Sequence, residues 1–305
     1  MSDFRLLMLG AMYENGGNTT HRLLDGHPQL FVYPFESQVG TRLVADKLAS
    51  VFPVKYRWPV FALDATPEQD YAAIIDEEGK VRARTPHVSK FRDYPFDFSD
   101  DERRERYVQI VGELGRSRAA NMEAFFRATF DVWHDHNGSG REEIYVGYSP
   151  AIAVDAETIL RELPAAHFLH VVRNPWSAYA DTKKRPVPLP LAGYMLGWTL
   201  NQHYALVGRE RFPERMHVLR LEDILADPVG VLSRELGIES SDSLATPSWN
   251  GRALTQVYPW GTIRTPTLEA NRATAAELSA EEQAEVRLRA GPFLEALGYT
   301  SYLAA

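Results

Sequence analysis

The sequence predicts an α/β fold in which a parallel β-sheet is flanked by helices. Three observations predict it. Short apolar runs rich in valine and leucine recur along the 305 residues, as in strands buried on both faces of a parallel sheet. Helical segments separate these runs, and such alternation favours a sheet covered by helices on both faces. The charged stretch 64–140 has helical patterning without clear strands. We therefore expect one domain over 1–305, with a helical cap at about 64–140.

Five segments are predicted to form the strands. They begin at Arg5, Leu30, Ile144, His167 and Met216, and they read RLLML, LFVY, IYV, HFLHVV and MHVLRL. The last three are short and nearly continuously apolar, which is typical of strands buried on both faces.

Local capping signals predict where helices begin and end. Ser149 and Pro150 suit the N-cap and first position of a helix reading SPAIAVDAETILREL. The last helix is predicted to begin with a capping box between Ser279 and Glu282. Pro292 is expected to kink that helix.

The composition narrows the possible functions. The chain has no cysteine, which excludes disulfides, thiolate nucleophiles and cysteine-ligated zinc, so we expect a cytoplasmic protein. The net charge of −8 argues against broad nucleic-acid binding, which relies on neutralising many phosphates. A local cluster of donors can still bind one small anion. No secretion signal is expected at the N-terminus, and no apolar stretch approaches the ~20 residues that cross a bilayer.

A glycine-rich loop follows the first predicted strand and leads into a helix, with Gly16, Gly17, Asn18, Thr19 and Thr20 at its end. Glycines let backbone N–H groups approach a ligand closely, and the first turn of a helix favours negative charge. The loop therefore predicts a phosphate cradle. The alternative is a strand–helix turn with a threonine N-cap. A Walker-type lysine and a Gly-x-Gly-x-x-Gly pattern are both absent, which disfavours ATPases, kinases and nicotinamide-dependent enzymes.

A second candidate site follows the predicted strand HFLHVV. Arg173 comes directly after it, at the edge where open α/β sheets bind ligands. A guanidinium group suits phosphate through bidentate hydrogen bonds. Lys183, Lys184 and Arg185 form a basic cluster soon afterwards. The alternative for this cluster is a solvated helix end.

Several segments, taken in order, resemble a known family. The loop ending in TT, then LLDGHPQL, HVVRNPWSAY, LRLEDILADPVGVLSRELGI and the closing LSAEEQAEV and FLEALGY are similar to the sulfotransferases that use 3′-phosphoadenosine 5′-phosphosulfate (PAPS). The resemblance runs from about Leu6 to Tyr299 and is weakest between about Val39 and Glu143. It implies a P-loop-NTPase-like parallel sheet and a reaction that needs no metal.

The resemblance also implies roles for particular residues. The loop from Gly16 to Thr20 would hold the 5′-phosphosulfate, and Arg173 would hold the 3′-phosphate. The segment VYPWGTIRTPT resembles the late family loop that closes over the nucleotide, with Trp260 stacking on adenine and Arg264 on the 3′-phosphate. The alternative for this segment is a proline-rich surface loop. The product would be 3′,5′-adenosine bisphosphate.

The chain departs from the family at charged positions. Gly16 stands where the family usually has a lysine or arginine, and Asp181 stands where it has a nucleotide-binding serine. An aspartate would repel a 3′-phosphate, so either Ser177 or Thr182 takes its place or Asp181 points away. The candidates for a replacement loop cation are Arg22, Arg84 and Lys90.

Two residues are candidates for the catalytic base. Glu36 follows the His-Pro turn after which several family branches place a catalytic glutamate; its alternative is a first-turn acid of a helix. His87, in RTPHVSK, loosely resembles the segment that supplies the base in cytosolic members, although a lone histidine in a charged segment is usually exposed. Glu222 and Asp223 are expected to be structural. We favour Glu36.

The resemblance implies a PAPS-dependent sulfotransferase that acts on a hydroxyl or amine of a carbohydrate, lipid or small metabolite. The rival interpretation is a catalytically silent nucleotide- or glycan-binding protein with the same fold. A degenerate nucleoside or sugar kinase would need a lysine and a Mg²⁺-holding serine that the loop lacks. The acceptor pocket is expected in the central cap, whose aromatic residues line an apolar cleft or simply form the core. These aromatic residues are Trp58, Phe61, Tyr71, Phe91, Tyr94 and Phe96.

Overall fold

Five strands pair in parallel in the computed structural model, which describes residues 4–50, 56–89, 92–254 and 267–303. The strand order is β2–β3–β1–β4–β5. The strands are β1 (Leu6–Ala11), β2 (Leu30–Val32), β3 (Ile144–Pro150), β4 (His167–Val172) and β5 (Met216–Arg220). Central β1 pairs with both β3 and β4, so Leu9 has Tyr148 on one side and Leu169 on the other. All five predicted strands are present.

Helices connect the strands and cover the sheet. They are α1 (Gly17–Leu24), α2 (Pro67–Ala73), α3 (Glu77–Arg84), α4 (Asp100–Leu114), α5 (Arg118–Asp131), α6 (Ala156–Glu162), α7 (Pro175–Lys183), α8 (Leu191–Arg211), α9 (Leu221–Ala226), α10 (Pro228–Leu236), α11 (Leu268–Ala275), α12 (Ala280–Ala290) and α13 (Pro292–Ala296). Short 3₁₀ helices lie at Pro86–Val88, Ile152–Asp155 and Asp242–Ala245, and β6 (Ser248–Trp249) and β7 (Arg252–Ala253) form a small antiparallel pair. None of the described helices is both long and apolar enough to span a membrane.

The two faces of the sheet are buried in different parts of the core. Leu6 and Met8 of β1 pack into one cluster, whereas Leu7 and Leu9 pack into another on the opposite face. Successive side chains of a strand point to opposite faces. A nearly continuous apolar strand is therefore what a sheet covered on both sides requires.

Most of the capping predictions are confirmed, and one helix start is wrong. Ser279 and Glu282 form the predicted capping box, and α12 and α13 are separated at Gly291, next to Pro292. Ser149 and Pro150, however, belong to β3, where they pair with the end of β1. Pairing with a neighbouring strand satisfies the backbone hydrogen-bonding groups of these residues. In addition, the residue before a proline, here Ser149, disfavours helical backbone angles. The helix α6 therefore begins only at Ala156.

The segment 64–140 is largely helical and contains α2 to α5. The side chains of Trp58, Phe61, Tyr71 and Phe96 are buried in the core, and Tyr94 packs against it. They do not line the cleft described below. These five aromatic residues therefore form part of the core and do not line an acceptor pocket in this cleft. The sixth, Phe91, lies outside the described residues.

A buried arginine joins the helices of this segment. The Arg103 Nη2 atom donates to Asp76 Oδ2 at 2.7 Å and to Asp100 Oδ1 at 3.0 Å, and its Nε donates to the Tyr71 hydroxyl at 2.7 Å. The side chains of Arg103 and Asp76 are fully buried. Because Asp76 is the N-cap residue of α3, this cluster fixes where α3 begins.

Candidate active site

A cleft of about 820 Å³ lies at the carboxyl edge of the sheet. Its walls include residues at the ends of strands: Tyr13 lies two residues after β1, and Arg173 and Leu221 directly follow β4 and β5. Open α/β sheets bind ligands at this edge. The cleft is also lined by Glu77 and Glu78 of α3, so the segment 64–140 contributes to it.

The loop after β1 is held by a buried asparagine. The Asn15 Nδ2 atom donates to the Tyr194 hydroxyl at 3.0 Å, and its Oδ1 accepts from the backbone N–H of Arg173 at 3.0 Å and from Trp198 Nε1 at 3.2 Å. These bonds tie the loop to the end of β4 and to α8. Sequence reasoning missed Asn15, because nothing nearby in the chain signals bonds to residues so far along it.

Close packing explains the glycines of the loop. Gly16 has φ +87°, and a Cβ atom there would lie 2.5 Å from a methyl carbon of Leu221. A Cβ atom on Gly17 would lie 2.6 Å from the Tyr148 ring. Only glycine adopts a positive φ at little cost, and the close contacts leave no room for a side chain at either position. The backbone at Gly16 and Gly17 therefore has no side chains that would keep a ligand away from it.

The first turn of α1 provides free donors. Thr20 N donates to Gly16 O at 2.9 Å, whereas the N–H groups of Gly17, Asn18 and Thr19 have no acceptor in the part of the chain that the structure describes. Gly16, Gly17, Asn18 and Thr19 line the cleft. Free N–H groups at a helix start favour an anion. Thr20, also predicted to bind the cofactor, is fully buried, and its hydroxyl does not line the cleft.

Of the two candidate bases, only Glu36 lies in the cleft. Its Oε1 accepts from Asn18 Nδ2 at 3.3 Å, and its Oε2 accepts from Gln38 Nε2 at 2.8 Å. The carboxylate therefore stands beside the first turn of α1. His87 lies on an exposed 3₁₀ turn and does not line the cleft.

Arg173 lines the cleft but already binds a carboxylate. Its Nη1 donates to Asp181 Oδ2 at 2.7 Å and to Glu14 O at 3.1 Å, and its Nε donates to Asn271 Oδ1 at 2.6 Å. Its Nη2 has no partner among the described residues. Asp181 thus faces Arg173 and does not point away.

Neither proposed substitute for Asp181 reaches the cleft. Ser177, a predicted cofactor-binding residue, is fully buried, and its hydroxyl donates to Asn271 O at 2.6 Å. The Thr182 hydroxyl donates to Ala178 O at 2.9 Å. Both hydroxyls are occupied within the protein, and neither residue lines the cleft.

The candidates for a replacement loop cation also lie elsewhere. Arg22 is buried and contacts the His21 ring at 2.8 Å, and Arg84 pairs with Asp100. Neither lines the cleft. Lys90, Trp260 and Arg264 lie outside the described residues.

Burial raises the pKa of several groups in the cleft. It raises the pKa of Glu14, and the charge of Arg185 acts in the opposite direction. Burial also raises the pKa of Tyr13 and, more strongly, that of Tyr148, with the negative charge of Glu36 adding to both shifts. The hydroxyl groups of Tyr13 and Tyr148 are therefore neutral at physiological pH.

Glu222 is structural, as predicted. Its Oε1 accepts from Asn174 Nδ2 at 2.8 Å and from Asn271 Nδ2 at 2.9 Å, while its Oε2 accepts from the Tyr299 hydroxyl at 2.6 Å. It joins the starts of α7 and α9 to α11 and the C-terminal region. This position behind Arg173 explains why an acid follows β5.

The fold places a loop with free N–H donors at the carboxyl edge of a parallel sheet, and comparison with known proteins gives the family. The family model described as "Sulfotransferase family" matches residues 15–236. The chain belongs to the sulfotransferase family, and its α/β sheet is the P-loop-like sheet predicted from sequence.

One solved structure supports the fold. The chain is similar to the sulfotransferase domain of the olefin synthase of Synechococcus PCC 7002, with 16% identity, a TM-score of 0.51, and coverage of 95% of this chain and 94% of that one. It also matches sulfotransferase STF9 from Mycobacterium avium, with 14% identity, a TM-score of 0.46, and coverage of 97% and 77%. No curated protein gives a significant match.

Proposed function

We propose that the protein transfers a sulfuryl group from PAPS to a hydroxyl or amine of a carbohydrate, lipid or small-metabolite acceptor. The observation that carries this proposal is the contact between Glu36 and Asn18. It puts a carboxylate beside the free N–H groups of α1, so a base and an anion cradle share one cleft.

The residues of the cradle fit the 5′-phosphosulfate end of such a donor. The bare backbone at Gly16 and Gly17 allows close approach, and the N–H groups of Gly17, Asn18 and Thr19 are free to donate. At the other end, Arg173 Nη2 is available to a 3′-phosphate. Donation by Arg173 Nη1 requires displacement of Asp181.

The chain's own groups support the transfer step. Glu36 takes the proton of the acceptor, whose oxygen or nitrogen forms the new bond to sulfur. The bond between sulfur and the 5′-phosphate oxygen breaks, and its electron pair stays on that oxygen. Fixed N–H donors stabilise charge there without reorganising. The Thr19 hydroxyl lies in the same turn and adds a further donor.

Two observations favour a second candidate, a catalytically silent nucleotide- or glycan-binding protein. Asp181 occupies one side of Arg173, and the loop 12–20 contains no lysine or arginine. Both features weaken the attraction of the cleft for a highly charged donor. Turnover with PAPS carrying labelled sulfate, across a panel of acceptors, separates the two candidates.

Arg173→Ala is expected to weaken binding of 3′,5′-adenosine bisphosphate by roughly tenfold or more, because charge-assisted hydrogen bonds to phosphate are lost. Isothermal titration calorimetry measures the affinity. ATP is the comparison ligand, and Arg234→Ala is the control variant. Arg234 is exposed and pairs with Glu235 away from the cleft. Absence of binding to the folded wild type would contradict the PAPS assignment.

Asp181→Asn is expected to act in the opposite direction. It removes a negative charge 2.7 Å from Arg173 Nη1, so 3′,5′-adenosine bisphosphate should bind roughly tenfold more tightly, since like charges in contact are strongly unfavourable. Adenosine 5′-monophosphate lacks the 3′-phosphate and should gain little. Weaker binding of both nucleotides would mean that Asp181 serves to orient Arg173.

A further inference from the structure

Transfer of a sulfuryl group leaves negative charge on the departing phosphate oxygen, and an adjacent cation stabilises such charge. The loop that would hold the group, residues 12–20, has no lysine or arginine. A cation must therefore come from another part of the cleft, or the backbone donors must act alone.

The described lining of the cleft contains three cationic side chains: Arg173, Lys184 and Arg185. Arg173 pairs with Asp181, and Lys184 pairs with both Asp181 and Glu277. Arg185 makes no ion pair and no side-chain hydrogen bond with any described residue. Arg185 is consequently the one cationic side chain of the described cleft lining whose hydrogen-bond donors are not used by a carboxylate.

The guanidinium group of Arg185, an exposed side chain, lies over an aromatic ring. Its guanidinium carbon lies 5.0 Å from the centre of the Tyr13 ring, and its backbone N–H donates to Thr182 O at 3.2 Å, just beyond α7. Stacking on an aromatic face leaves the N–H groups at the edge of the guanidinium free to donate. The side chain is positioned without using its donors.

Arg185 lies beside the loop and in the same cleft as the proposed base. Tyr13, over whose ring the Arg185 guanidinium lies, belongs to the loop that ends at α1. Tyr13, Glu36 and Arg185 all line the cleft. The charge of Arg185 also acts on Glu14, the next residue of the loop, and lowers the pKa that burial raises.

We infer that Arg185 binds the phosphosulfate group and neutralises the charge on its departing oxygen. This inference rests on the proposed function. In the transfer step the electron pair of the broken sulfur–oxygen bond stays on the phosphate oxygen, and Arg185 donates to that oxygen. The proton of the acceptor goes to Glu36, so Arg185 neither gains nor loses a proton.

The test compares Arg185→Ala and Arg185→Lys with the wild type. Arg185→Ala should lower kcat by roughly 10²-fold, which is the usual effect of removing one donor that stabilises developing charge in an active site. Arg185→Lys should keep much of the activity, and guanidinium chloride should partly restore Arg185→Ala. Arg287→Ala is the matched control, because Arg287 also stacks on an aromatic ring, that of Trp176, but lies outside the cleft lining. Circular dichroism verifies that each variant is folded.

Binding gives a second readout that does not need turnover. Without acceptor, Arg185→Ala should lose affinity for PAPS, while its affinity for 3′,5′-adenosine bisphosphate changes much less. Unchanged kcat together with unchanged PAPS affinity would overturn the inference. If the wild type binds PAPS but transfers nothing, the proposed function fails, and the two affinities still decide the role of Arg185. If the wild type does not bind PAPS at all, both proposals are overturned.

Discussion

Glu36→Gln is expected to lower the rate of sulfuryl transfer by roughly 10²–10⁴-fold, the usual contribution of a positioned general base. Glutamine keeps the size of the side chain and can still accept from Asn18 through its amide oxygen. It cannot take the proton of the acceptor. The expected result is therefore a loss of kcat with nearly unchanged binding of 3′,5′-adenosine bisphosphate, measured by radiolabel transfer and calorimetry on the same preparations.

The control for this experiment is Glu285→Gln. Glu285 lies on α12, where it pairs with Arg289, and it does not line the cleft. Its replacement should leave the rate unchanged. A Glu36→Gln enzyme with wild-type kcat would exclude Glu36 as the base and leave the exposed His87 to be examined by His87→Ala.

The largest effect on stability is expected at Arg103. Arg103→Ala should lower the free energy of unfolding by about 3–5 kcal/mol, because removing one partner leaves the other charge buried and unpaired. The carboxylate left without an ion pair is that of Asp76, which is fully buried, whereas Asp100 keeps its pair with Arg84. Urea unfolding followed by circular dichroism measures the change.

The neighbouring residue provides the control. Arg104 is exposed and pairs at 3.2 Å with Asp101, three residues earlier in the same helix, so Arg104→Ala should change the free energy of unfolding by at most ~1 kcal/mol. Equal destabilisation by the two variants would show that the buried network contributes no more than a surface pair. Because Asp76 precedes Glu77 and Glu78 in the cleft wall, Arg103→Ala should also disturb that wall.

Elements governed by neighbouring residues were predictable. The apolar runs gave all five strands, and Ser279 with Glu282 identified a helix start, since a capping box involves residues only three apart. The start proposed at Ser149 and Pro150 failed for a complementary reason. Ser149 and Pro150 pair with strand β1, and the capping pattern contains no information about which strand lies beside them.

The same division holds within the candidate site. The residues Gly16 to Thr19, Glu36 and Arg173 were named as site candidates from sequence, and all of them line the cleft, whereas Thr20 does not. Ser177 was also predicted to bind the cofactor, but the backbone oxygen of Asn271, far along the chain, holds its hydroxyl. A local pattern identifies which residue types are present, whereas distant partners decide which of their atoms stay free.

The sequence by itself determined the α/β class, the position of the bare loop before α1, and the arginine at the end of β4, because periodicity, glycine content and capping act over a few residues. The tertiary structure alone decided the charges of the cleft. It matched Arg173 and Lys184 with carboxylates and left Arg185 stacked on Tyr13 without one. Side-chain pairing across a cleft depends on how distant segments pack, and electrostatic interactions act through space, whatever the separation along the chain.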